Sequence, residues 1–174
     1  MFVSNSTATT VLGIDPGLTR CGYAVLRSEG GKVQALALGV IRTPPTDALP
    51  QRLAQLKADL AALIAEHRPD SVAVEQVFFQ VNVRTAMSVG QASGLALAEA
   101  AAAGCEVMQY TPNQVKGAVA GYGGADKAQV QKMVQIRLRL AAPPSPPDAA
   151  DAAALALCHL ATAPLRRRVA EARR

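Results

Sequence analysis

Residues 11–17 read V-L-G-I-D-P-G, and that stretch leaves the chain few options. Its apolar run suits a buried strand, and Pro16-Gly17 punctuates the end of it. One carboxylate, Asp15, is left at the C-terminal lip of the strand. Open α/β sheets gather their chemistry along that edge. Taken by itself the stretch also suits an aspartate that only begins a turn. The remainder of the chain has to separate the two readings.

Strand one spans 11–15 and is preceded by a Ser/Thr-rich lead at 1–10. Strands follow at 21–27 and 32–42, separated by Glu29-Gly30-Gly31, so three strands joined by short turns predict an antiparallel meander. At 51–66, Leu53, Leu56, Leu60, Leu63 and Ile64 fall on one helical face. A strand is expected at 71–76, an Ala-rich helix at 83–103 and a fifth strand at 105–110. Thr111 should cap a short helix with Pro112 at its first position. Helices at 126–140 and 148–163 complete the pattern, with a Pro-rich spacer at 143–147 and a basic tail from 164 to 174. Three strands followed by alternating helix and strand imply an α/β fold: a mixed five-stranded sheet with helices on both faces. We expect one domain over 11–163, with flexible tails at 1–10 and 164–174.

At 174 residues the chain can bury roughly 70% of its unfolded surface, so neither disulfides nor a structural metal are needed for folding. Cys21, Cys105 and Cys158 lack C-x-x-C spacing and read as reduced, packed thiols. A net charge of +5 and a pI near 9.4 point to an anionic partner, nucleic acid before membrane. Residues 1–10 lack the basic and apolar regions of a signal peptide, and no apolar run is long enough to span a bilayer.

Four acids occupy unusual places. Asp15 and Glu75 each end a predicted strand; Asp148 and Asp151 open a predicted helix. Three residues apart, the latter two project to one side of the helix, in the first turn where the macrodipole favours anions. If that helix start meets the sheet lip, all four converge. Two such charges ~4 Å apart repel by about 4 kcal/mol at an effective dielectric of ~20, so a cluster of four needs protons or bound cations. An all-oxygen donor set selects hard ions, Mg²⁺ or Mn²⁺. Two ions per site form a phosphoryl-transfer centre, one activating water and the other steadying the leaving oxygen.

These pieces resemble the RuvC family of bacterial Holliday junction resolvases, which have the ribonuclease H-like fold. The matching segments are L-G-I-D-P-G (12–17), V-E-Q-V-F (74–78), Q-V-K (114–116), D-K-A-Q-V (126–130) and D-A-A-D-A (148–152), in the family's order and across almost all of 11–163. The resemblance implies a homodimeric endonuclease that binds a four-way DNA junction. It would nick two opposing strands symmetrically and leave ligatable 5′-phosphate and 3′-hydroxyl ends, in recombination and repair. It also implies a branch-migration helicase complex as partner and a bacterial, cytoplasmic, nucleoid-associated location. By position, Asp15, Glu75, Asp148 and Asp151 match the family's metal-binding catalytic residues. Some members carry His at the place of Asp148.

The resemblance assigns DNA contacts as well. Phe78 matches a junction-contacting aromatic, and Phe79 lies beside it; alternation sends one inward and one outward, toward unpaired bases. Lys116 and Lys127 match basic residues near the scissile phosphates. Asn82 and Arg84 are further candidates for the DNA backbone, and the tail arginines 166–168, 173 and 174 for an accessory role. Gly90, Gly94 and Ala98 form a smooth helical stripe that packs either on the sheet or across a dimer axis. His159, eight residues after Asp151 and about 12 Å up the helix, is expected to be structural. Other readings are a related nuclease on another nucleic acid, a junction-binding protein that does not cut, and a phosphotransferase of the actin/hexokinase type. The last requires a second copy of the fold, for which there is little room.

Overall fold

The computed structural model describes residues 8–76 and 83–172. In chain order the elements are β1 (Thr9–Asp15), β2 (Arg20–Glu29), β3 (Lys32–Arg42), α1 (Leu49–His67), β4 (Ser71–Glu75), α2 (Val83–Ala102), β5 (Glu106–Tyr110), α3 (Pro112–Ala120), α4 (Lys127–Arg137) and α5 (Pro147–Ala172). The five strands form one sheet in the order β3-β2-β1-β4-β5. The first three strands are antiparallel, whereas β1, β4 and β5 run parallel. The mixed sheet expected from the element order is thus present, and β1 lies at its centre.

Strand alternation builds two cores. Leu12, Ile14, Val25, Val72 and Val74 face one side and pack with Leu56, Leu60 and Ile64 of α1 and Ala92, Ala96 and Ala100 of α2. Val11, Ala24, Leu26 and Ala73 face the other side and pack with α3, α4 and α5. From Ala152 to His159 every residue of α5 is buried. A helix apolar all round belongs in an interior, and its alanines let it lie close to the sheet.

Glycine decides how close. A Cβ on Gly13 would lie 2.0 Å from the carbonyl oxygen of Ala152, and one on Gly22 would lie 2.2 Å from that of Asp148. The start of α5 therefore rests directly on β1 and β2.

Two helix ends differ from the expected ones. α4 stops at Arg137, short of 140, because Arg139 takes a left-handed conformation (φ 54). The Arg139 N–H then donates to the carbonyl of Ile136 and that of Leu140 to Gln135, the Schellman pattern usually made with glycine. α5 continues through Pro164 to Ala172, where a flexible tail was expected from 164. Pro164 removes one helical hydrogen bond, and Arg166, two residues on, ties this part of the helix to its neighbours. Its guanidinium lies 5.5 Å from the centroid of the Tyr110 ring, 3.3 Å from His159 Nδ1 and 3.9 Å from Glu106 of β5. His159 is fully buried, its Nδ1 3.0 Å from the Tyr110 hydroxyl, in keeping with a structural role. All three cysteines are free thiols.

Candidate active site

The site begins with register. Ile14 pairs with Val74 across the parallel β1–β4 ladder, so the next residues, Asp15 and Glu75, stand side by side at the C-terminal ends of the two strands. Asp15 shares the face of Gly13, and Glu75 that of Ala73, because strand side chains alternate. Both faces look toward α5. On the remaining neighbours, Asp15 pairs with Gly22 and Glu75 with Tyr110. The lip thus reads Gly22, Asp15, Glu75, Tyr110 from β2 to β5.

α5 supplies the other two acids. Asp148 sits in its first turn directly over Gly22, and Asp151 one turn further on. The crowding registers on Asp15, whose carboxyl is pushed up from 3.8 to about 7. Burial is the main cause, followed by the charges of Glu75, Asp151 and Asp148; Lys127 opposes them. Glu75 is also raised, by burial and then by Asp151.

Two cations answer these charges. Lys127 Nζ donates to Asp151 Oδ2 at 2.7 Å. It is placed there by the start of α4, where Asp126 accepts from the Gln129 N–H while the Gln129 side chain accepts from the Asp126 N–H. The Tyr122 hydroxyl donates to the same Gln129 oxygen. Arg20, at the start of β2, grips Asp148: its Nε lies 3.3 and 3.2 Å from the two carboxylate oxygens, and NH2 donates to Oδ2. This fork holds the Asp148 carboxyl below the usual carboxylate range.

With Asp148 and Asp151 drawn to their cations, no three His, Cys, Asp or Glu side chains among the described residues stand together as a ready metal cage. The donor chemistry nonetheless fits hard divalent ions: two carboxylates on the lip and two at the start of α5 above it, the lip pair with proton affinity raised by burial first and by neighbouring negative charge second.

The DNA-contact candidates divide. Lys127 lies within the site. Lys116 is half-buried on α3 and forms no ion pair among the described residues. Phe78, Phe79 and Asn82 lie outside the described residues, and for Arg84 only its place in α2 is described. Gly90 and Gly94 have open space where their Cβ atoms would be, so that stripe does not pack on the sheet. Arg20 was not among the expected site residues. Its only sequence signal is nearness to Asp15, five positions on.

A family model described as crossover junction endodeoxyribonuclease RuvC matches residues 11–159. The chain belongs to the RuvC family. Its relative of that name in Salinispora arenicola is 56% identical over 163 residues, covering 93% of each chain. Among solved RuvC structures, that of Thermus thermophilus superposes with a TM-score of 0.85 at 39% identity, covering 90% of this chain and 96% of that one. T. thermophilus RuvC in complex with Holliday junction substrate superposes at 0.86 with the same identity and coverage. RuvC membership makes the chain an endonuclease with a ribonuclease H-like sheet, as its motifs implied. No helix among the described residues is long and apolar enough to cross a membrane.

Proposed function

We propose that this RuvC-family endonuclease resolves four-way DNA junctions, cutting two opposing strands with Asp15, Glu75, Asp148 and Asp151 as its catalytic carboxylates. The reading is carried by the placement of Asp15 and Glu75 on adjacent parallel strands beneath the acidic start of α5. The four acids would hold Mg²⁺ or Mn²⁺, two ions per site. Bound there, such ions supply an activated water and charge relief at the leaving oxygen. The chain's own work is to fix the carboxylates on rigid elements, to gather enough negative charge there to draw cations in, and to bring Lys127 to the same site. Lys127 would meet a phosphate near the cut, where its charge opposes that of the scissile group. The products would carry 5′-phosphate and 3′-hydroxyl ends.

Junction recognition is assigned to Phe78 and Phe79 at the crossover and to Asn82, Arg84 and Lys116 on the backbone, around the nuclease unit at 11–163. A four-way junction has two-fold symmetry, and a C2 dimer mirrors it. The open Gly90–Gly94 stripe on α2, with Met87 60% exposed nearby, suits that dimer axis. Family likeness further suggests a branch-migration helicase as partner and a cytoplasmic, nucleoid-associated place of action.

Incubating the purified protein with a synthetic four-way junction tests the reading. With Mg²⁺ or Mn²⁺, paired nicks should appear that ligase can seal; with chelator, binding without nicks. Nicking of plain duplex at the same rate would favour a less selective nuclease.

A further inference from the structure

At the rim of the site the Arg20 guanidinium is paired with the Asp148 carboxylate. We propose that Arg20 is a positioning residue that stands in for a divalent ion, holding Asp148 in the ion-free protein and exchanged for metal when the site loads. The inference rests on the nuclease reading above. Both Asp148 oxygens face the guanidinium, through Nε at 3.3 and 3.2 Å and through NH2. Oδ2 takes both donors and Oδ1 only the longer contact from Nε, so an ion approaching this carboxylate meets the guanidinium's positive charge and must displace it from Oδ2 to bind there.

The surroundings hold Arg20 ready on its side of the exchange. The turn leading to it is tied to α1: Arg52 donates to Thr43 Oγ1 at 3.0 Å and to Thr19 Oγ1 at 2.6 Å, and the Thr43 hydroxyl donates to the Leu18 carbonyl. The Thr43 N–H donates to the Thr19 carbonyl at 3.3 Å. The backbone of Arg20 is therefore fixed, while its side chain, 38% exposed, reaches the carboxylate from the solvent rim. Asp148, with its backbone pressed on Gly22, is fixed in the same way. Only the two side-chain tips need move for an ion to replace the guanidinium. A merely structural Arg20 would help hold Asp148 in place for metal, so its loss would weaken metal binding. A stand-in competes with metal, so its loss would tighten it. The two roles predict opposite signs.

Mn²⁺ titrated into the full chain without DNA, with free Mn²⁺ read by electron paramagnetic resonance, measures that sign. Arg20→Gln should bind Mn²⁺ roughly two- to fivefold more tightly than the wild type, the size expected for freeing one carboxylate from a partly exposed ion pair. Arg20→Lys, which keeps the charge but loses the fork, should fall between the two. The gain should vanish in Arg20→Gln/Asp148→Asn, and Arg27→Gln, which removes a surface charge paired with Glu29, should match the wild type. Mn²⁺ binding that Asp15→Asn abolishes but Arg20→Gln leaves unchanged or weaker would overturn the stand-in alone. Mn²⁺ binding indifferent to Asp15→Asn would overturn the nuclease reading on which it rests.

Discussion

Gly13 lies directly beneath Ala152, so close that a methyl group on Gly13 would come within 2.0 Å of the Ala152 carbonyl oxygen. This contact sets the height of α5 above β1, and with it the approach of Asp148 and Asp151 to Asp15. Gly13→Ala must lift the helix, because the obstacle is backbone and cannot rotate away. We expect a loss of about 1–3 kcal/mol, or roughly 2–4 °C in Tm for each kcal/mol in a chain of this size. Junction cutting should fall far more than helix content measured by circular dichroism.

Asp15 makes stability depend on pH. Its carboxyl binds a proton more tightly in the folded chain, at about 7, than in the unfolded chain, at 3.8. Its contribution is full below 3.8 and is lost as pH rises through 7, by roughly 4 kcal/mol at most. Glu75 acts in the same direction. Asp148, whose value is lowered, acts oppositely, but only in acid below 3.8. In urea unfolding with chelator present, the protein should be less stable at pH 8 than at pH 5. Asp15→Asn should flatten that slope, and Mg²⁺ should restore stability at pH 8.

The parts of the molecule with a strong local signature were legible beforehand. The apolar run at 11–15, the leucine face of α1 and the Thr111-Pro112 start of α3 each follow from one local rule, and each appears where that rule puts it. So do the lip positions of Asp15 and Glu75, because a carboxylate ending a buried strand has one place to go. Helix ends were less legible where arginine, not glycine, adopts the left-handed turn, as at Arg139. The run of α5 past Pro164 was missed because it depends on Arg166 meeting Tyr110 and Glu106 across long stretches of sequence. The Arg20–Asp148 pair, 128 residues apart, has no local signature at all.

Arg166 should therefore matter to the end of α5 and little to cutting. Arg166→Ala removes a cation–π contact and an ion pair, a loss of about 1 kcal/mol. Hydrogen exchange should quicken over 160–172 while the sheet amides stay protected. Unchanged exchange there would mean that the helix holds itself beyond Pro164.

Phe78→Ala should weaken the junction complex by about 1–3 kcal/mol, the worth of one stacked base, and leave duplex affinity almost unchanged. Competition binding with the two DNAs measures the difference. Equal loss on both would make Phe78 a packing residue.

The most direct test of the account compares Asp151→Asn, Asp15→Asn and Glu75→Gln with the wild type on one synthetic four-way junction in Mg²⁺. Metal ligands act in the transition state, whereas basic residues supply most of the affinity. Each variant should bind the junction nearly as the wild type does and cut it slower by roughly a hundredfold or more. A variant that binds normally and still nicks at the wild-type rate would contradict the carboxylate site.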